Sequence, residues 1–185
     1  AGAFSVTTLL GSPRAKGLFH RAIPQSGAAH HTLTQDQGRR VAELLMQETQ
    51  ATTVQALVDC SVDSILTAQN KASARYHDED LSPGVQAFYP VSGNDVIPTT
   101  LLDAIASGVG HDIPMLLGTN QDEASLFILG SVDADAAKAQ SLTYGQAELY
   151  EHYGAHFPNF SSTEIAVRMS TDFSFKIPAV RLAEL

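Results

Sequence analysis

Hydrophobic positions along this chain alternate between helical spacing and short unbroken apolar runs, and the changes mark its elements. Residues 3–10 set small and apolar side chains at helical spacing and stop at Gly11, before Ser12-Pro13, so a buried helix comes first. Leu18 to Gln25 is a short apolar run closed by Ser26-Gly27, which favours a core strand, although Pro24 brings no ladder donor. Thr34-Gln35-Asp36-Gln37 fits a capping box ahead of Val41, Leu44 and Leu45, which share one helical face. Shorter helical patterns around Val54 to Asp59 and Ser61 to Gln69 precede a polar stretch, Arg75 to Pro83, that reads as a loop.

The second half repeats the alternation. Leu101 to Ser107 is a helix ended by Gly108, and Ile113 to Thr119 is apolar on both faces, the pattern of a central strand covered by helices on either side. Thr143-x-x-Gln146 and Ser161-x-x-Glu164 read as caps of further helices, and Ile177 to Leu185 stops inside an amphipathic pattern. The fold class expected from this order is α/β, with mostly parallel sheet strands and many helices.

A length of 185 residues suits one domain over 1–185. Lys and Arg number 11 against 20 Asp and Glu, a net charge of −9 that repels a phosphate backbone and argues against nucleic-acid binding. The uninterrupted apolar stretches fall far short of the roughly 20 residues of a membrane span. One cysteine, Cys60, allows no internal disulfide, reads as half-buried helix packing, and leans slightly toward a cytoplasmic compartment. Asn159-Phe160-Ser161 fits a glycosylation acceptor, a pattern that matters only in a secreted chain. The opening residues lack a starting methionine and a basic leader, so both ends read as cut inside a longer sequence.

Candidate chemistry gathers directly after the 113–119 run, in Asn120-Gln121-Asp122-Glu123. Strand ends of open α/β sheets are where catalytic groups collect. A carboxylate there can orient a histidine and stabilise its charged form. It can equally cap a helix at Ala124 to Leu129, and on residue type alone both roles stay open for Asp122 and Glu123.

Two blocks carry a family resemblance. Ala1-Gly2-Ala3-Phe4-Ser5-Val6, followed by Ser12-Pro13-Arg14-Ala15-Lys16-Gly17-Leu18-Phe19-His20-Arg21-Ala22-Ile23-Pro24-Gln25-Ser26-Gly27, resembles the stretch after the nucleophile elbow of type-B (cholinesterase-like) carboxylesterases. Pro90-Val91, Val96-Ile97-Pro98 and Gly118-Thr119-Asn120-Gln121-Asp122-Glu123 resemble that family's approach to its triad acid. Ala124 stands where the family usually has glycine, and Ser92-Gly93-Asn94-Asp95 replaces its more usual Asp-Gly turn.

The resemblance implies a partial α/β-hydrolase fold, truncated at both ends, and a serine carboxylic-ester hydrolase with a Ser-His-Glu triad. Residue by residue it places the triad acid on Glu123, an oxyanion-hole N–H on Ala1, and a supporting hydroxyl near the acid on Ser26. The family's elbow reads Gly-Glu-Ser-Ala-Gly, so the serine would immediately precede Ala1, and the histidine would follow Leu185. None of His20, His30, His31, His77, His111, His152 and His156 stands in the matching context, and structural or surface roles are expected of them; His20 is expected on the first strand. The implied substrate is a small carboxylic ester, with no metal or organic cofactor; this stretch alone would hydrolyse nothing. The alternative is a cholinesterase-like adhesion or binding protein that has lost its serine.

Overall fold

The computed structural model describes residues 2–28, 31–79 and 86–185. Its helices are α1 (Gly2–Leu10), α2 (Gln35–Thr49), α3 (Val54–Val58), α4 (Val62–Asp78) and α5 (Leu101–Ala106). They continue with α6 (Ala134–Thr143), α7 (Leu149–His156), α8 (Ser162–Thr171), a π-helical turn Asp172–Lys176 and α9 (Ile177–Glu184). Contacts divide the chain into two compact units, one of Ala1–His30 with Asp95–Leu185 and one of His31–Asn94.

The 31–94 unit is organised by α2 against α4. Both halves of the capping box form: the Gln37 N–H donates to Thr34 Oγ1 at 3.2 Å and the Thr34 N–H to Gln37 Oε1 at 2.8 Å. Leu33, Val41, Leu44, Ala72, Tyr76 and Ala87 make the core. Gly38 lets the Val91 side chain in, since a Cβ there would meet Val91 Cγ2 at 2.6 Å. The loop expected from Arg75 is instead helix through Asp78. Buried Ala68, Ala72 and Tyr76 recur every four residues, a stripe that small alanines make hard to recognise, and Arg75 pairs with Glu48 at 2.8 Å. The rest of that expected loop, from residue 80, lies outside the described residues.

In the other unit, the segments read as strands do run side by side. Ala22 bridges Met115 and Gln25 bridges Gly118, both in parallel. The Ala22 N–H donates to Pro114 O at 3.1 Å, and the Leu116 N–H to Ala22 O at 3.0 Å. These remain isolated bridges, and among the described residues no continuous strand forms. Pro24 and Pro114 each remove a donor from the pairing. His20, expected on the first strand, sits exposed in a bend before the pairing begins. Burial of 113–119 on two faces is also corrected. Ile113, Met115 and Leu117 pack on Leu10, Leu101, Ile105 and Leu182, whereas Leu116 is 69% exposed.

Three local expectations fare differently. Ser161 and Glu164 form their capping box and start α8. Thr143 starts nothing: it is the last residue of α6, which begins instead where the Asp133 side chain accepts the Ala136 N–H at 2.8 Å. The helix expected over Ala124 to Leu129 is a shorter 3₁₀ turn, Glu123–Leu126.

Candidate active site

The segment paired with residues 22–25 leads straight into Asn120-Gln121-Asp122-Glu123. Glu123 opens the 3₁₀ turn, and its Oε1 accepts the Asn120 backbone N–H at 2.6 Å. The Ser26 hydroxyl donates to the same carboxylate. Pairing brings it there, because the Ser26 N–H donates to Gly118 O at 2.9 Å. Ser26 adopts a φ of 61°, a left-handed conformation that costs a residue with a Cβ roughly 1 kcal/mol or more. Strain of this kind persists only where the surroundings enforce it.

The electrostatics of Glu123 follow from these contacts. Burial pushes the carboxyl up, but hydrogen bonds from the Ser26 hydroxyl and from the Asn120 backbone and side chain outweigh it, and the net shift is downward. Glu123 is therefore an ionised carboxylate at neutral pH. Asp122, by contrast, is exposed at φ −130° and its side chain makes no capping bond; it serves the turn through its backbone oxygen, which accepts the Ser125 hydroxyl at 2.7 Å. The shared capping role open to the pair is not taken up by Asp122.

Glu123 and Ser26 are thus brought together, while Ala1 lies outside the described residues. Among the described residues, the hydrogen-bond partners of the Glu123 carboxylate are Ser26 and Asn120, and no histidine is among them. His31 is buried with its ring 5.0 Å from that of Tyr89; His20, His77, His111, His152 and His156 are exposed, and His30 lies outside the described residues. No three His, Cys, Asp or Glu side chains among the described residues converge to hold a metal ion. No helix is long and apolar enough to cross a membrane, again among the described residues.

Two cavities flank the 113–119 segment. One of about 500 Å³ adjoins the acid turn, between Asn120, Gln121 and Asp122 on one side and Phe157, Phe160, Arg168 and Lys176 on the other. A second, of about 360 Å³, is lined by Leu9, Pro13, Phe19, Val109 and Ile113, at the opposite end of the segment from the carboxylate.

Two contacts that the sequence did not announce fix the backbone of the turn. The Ala124 N–H donates to Thr171 Oγ1 at 3.1 Å, with both residues buried, and Arg168 Nη1 donates to Gln121 O at 3.3 Å. Each spans 47 residues, so no local pattern could signal it.

The carboxylesterase family model matches residues 1–185. The para-nitrobenzyl esterase of Bacillus subtilis (strain 168) is 31% identical over 191 residues, covering 99% of this chain and 37% of that protein. Neuroligin-2 of Rattus norvegicus is 30% identical over 142 residues, which cover 73% of this chain and 16% of that protein. A solved carboxylesterase of Geobacillus stearothermophilus matches with a TM-score of 0.78 and 25% identity over 98% of this chain and 38% of that one. The chain therefore spans little more than a third of the length of either esterase. Matched from its first residue to its last, it belongs to the carboxylesterase family.

Proposed function

We propose that residues 1–185 are an internal part of the catalytic domain of a serine carboxylic-ester hydrolase of the α/β-hydrolase fold, and that Glu123 is the acid of its Ser-His-Glu triad. On this reading segments 22–25 and 113–118 are neighbours in a parallel sheet, and the serine and histidine come from outside these residues. The observation that carries the proposal is Glu123 itself. In a chain of this family, an ionised carboxylate stands at the end of a paired segment, held by a serine with a strained backbone.

A fixed carboxylate suits the acid's task. It need not take a proton; it orients the histidine, which draws the proton from the serine as the hydroxyl attacks the ester carbonyl, and it stabilises the imidazolium that results. Water then releases the acyl group. The Ala1 N–H, next to the serine in this reading, would donate to the oxyanion. Ser26 keeps the carboxylate charged and aimed. Such a triad works on a small carboxylic ester with side chains alone, and no metal or organic cofactor enters the proposal.

A second reading has one observation in its favour: the family match extends to neuroligin-2, whose name is not that of an esterase. The chain would then belong to an adhesion or binding protein that keeps the hydrolase scaffold. Hydrolysis of a simple aryl ester by the whole protein separates the readings. Glu123→Gln should lower kcat by about 10³ to 10⁴-fold while the melting temperature stays within a few degrees, the scale at which removing a triad acid's charge acts elsewhere. A wild-type protein without hydrolysis would favour the binding reading. An active protein indifferent to Glu123→Gln would remove Glu123 from the triad.

A further inference from the structure

Resting on the reading of Glu123 as the triad acid, we infer that Thr171 is a positioning residue for it, the central point of a three-point clamp. The clamp runs along α8 into the π-helical turn. Residues 168, 171 and 175 touch residues 121, 124 and 127 respectively: Arg168 Nη1 donates to Gln121 O at 3.3 Å, Thr171 Oγ1 accepts the Ala124 N–H at 3.1 Å, and the Phe175 ring stacks on Phe127 at 6.5 Å and 8°. Glu123 lies between the first two points.

The two outer points are held from behind. Arg168 Nε lies 3.4 Å from Asp172 Oδ2, an ion-pair distance without hydrogen-bond alignment, and the guanidinium sits 5.8 Å from the centre of the Phe157 ring. Asp172 in turn accepts the Tyr153 hydroxyl at 2.8 Å and has Lys176 Nζ at 4.0 Å. Phe175 also meets Phe4 of α1 at 6.1 Å. Phe175 lies within the π-helical turn Asp172–Lys176, which begins directly after Thr171. π-helical turns recur at functional sites, where one added residue re-aims side chains.

Thr171 is the point that acts on the acid most directly. Its hydroxyl fixes the peptide N–H immediately following Glu123, at a position where Thr171 is fully buried and Ala124 is 2% exposed. A buried N–H depends on the partner the protein supplies. Losing that partner lets the turn rotate, and with it the carboxylate that Ser26 and Asn120 hold. Small displacements of catalytic groups carry large penalties in rate.

The test uses the whole protein and aryl-ester hydrolysis. Thr171→Val removes the acceptor and keeps the shape, Thr171→Ala removes it with less bulk should the valine variant not fold, and Thr171→Ser restores the hydroxyl. We expect Thr171→Val to lower kcat on the order of ten-fold with KM unchanged, and Thr171→Ser to retain most of the wild-type rate. A positioning residue works only through Glu123, so in a Glu123→Gln background Thr171→Val should leave the residual rate unaltered. If Thr171→Val and Thr171→Ala keep wild-type kcat while Glu123→Gln is inactive, the clamp is wrong and the acid assignment stands. If they lower the residual rate in the Glu123→Gln background as much as in wild type, Thr171 is structural and the inference falls. Full activity of Glu123→Gln alone would remove the acid assignment beneath it.

Discussion

The α2–α4 pair and the acid turn differ in how much of their support is redundant. The helix pair starts from a local signal and is held redundantly: a reciprocal capping box, a core from Val41 to Tyr76, and Arg40 bonded through its Nε to Glu79 at 2.7 Å and through Nη1 to Glu43 at 3.0 Å. The acid turn is a single 3₁₀ turn that ends on exposed Leu126, with exposed Phe127 next, and two of its fixed points come from residues far away in sequence. The pair buries Leu44, Ala72 and Tyr76, whereas the turn leaves Leu126 and Phe127 exposed.

The comparison breaks most readily in the helix pair. Leu44 is fully buried between α2 and its neighbours, and Leu44→Ala should cost about 2–5 kcal/mol of stability, the usual range for a buried leucine emptied to alanine. Turnover per folded molecule should not change. Denaturant melts and kcat on the same preparation decide it, and a kcat that falls at temperatures far below the melt would mean that the two regions are not separable.

Ser26 tests the other side at a smaller scale. Ser26→Ala deletes the hydroxyl bonded to Glu123 and keeps the strained φ of 61°, whereas Ser26→Gly deletes the hydroxyl and relaxes the backbone. Both should lower kcat in the whole protein by a similar moderate factor, roughly ten-fold, since both loosen the same carboxylate. They should differ in stability, with the glycine variant about 1 kcal/mol above the alanine variant because only glycine tolerates that conformation without cost. Equal melting temperatures would show that the strain at Ser26 is not real; unchanged turnover in both would remove its supporting role.

The same contrast explains what could be read from the sequence. Where structure is local the pattern sufficed: the boxes at Thr34 and Ser161 name their helices because both partners lie within one turn. The strand pairing was legible as two apolar runs, but the number of covered faces was not, because composition cannot tell that Leu116 meets solvent while Met115 meets Leu10 and its neighbours. Thr143 misled because threonine ends a helix as readily as it begins one: its hydroxyl donates to Gln140 O at 2.8 Å instead of accepting from a following turn. At the site, Glu123 and Ser26 came from the family resemblance, not from generic physics, which favoured capping. Thr171 had no signal at all, since a threonine inside an amphipathic helix looks the same whether or not its hydroxyl serves a distant turn.

The smallest expected effect is a pH dependence, and it isolates the part of the Ser26 contribution that acts through the charge of Glu123. The hydrogen bonds from Ser26 and Asn120 outweigh burial and hold the folded carboxyl below its unfolded value, which is about 4.3 for glutamate. A depressed folded value means that the stabilisation is complete above the unfolded value and is lost as the pH falls through the folded one. The stability difference between wild type and Ser26→Ala should therefore be constant near neutrality and shrink as the pH falls through the folded carboxyl values of the two proteins, the wild-type value being the lower. Glu79, Glu151 and Glu164 are also shifted downward, each by partners other than Ser26, so their acid titrations are common to both variants and cancel in the difference. The backbone strain is kept in Ser26→Ala and cancels as well, so what remains at low pH measures the lost hydroxyl apart from its effect on the charge. Paired urea melts between pH 7 and 3 give the curve. A difference that stays flat across that interval would show that the Ser26 hydroxyl does not favour the charged carboxylate, and the turn would then be held by Asn120 and the α8 contacts alone.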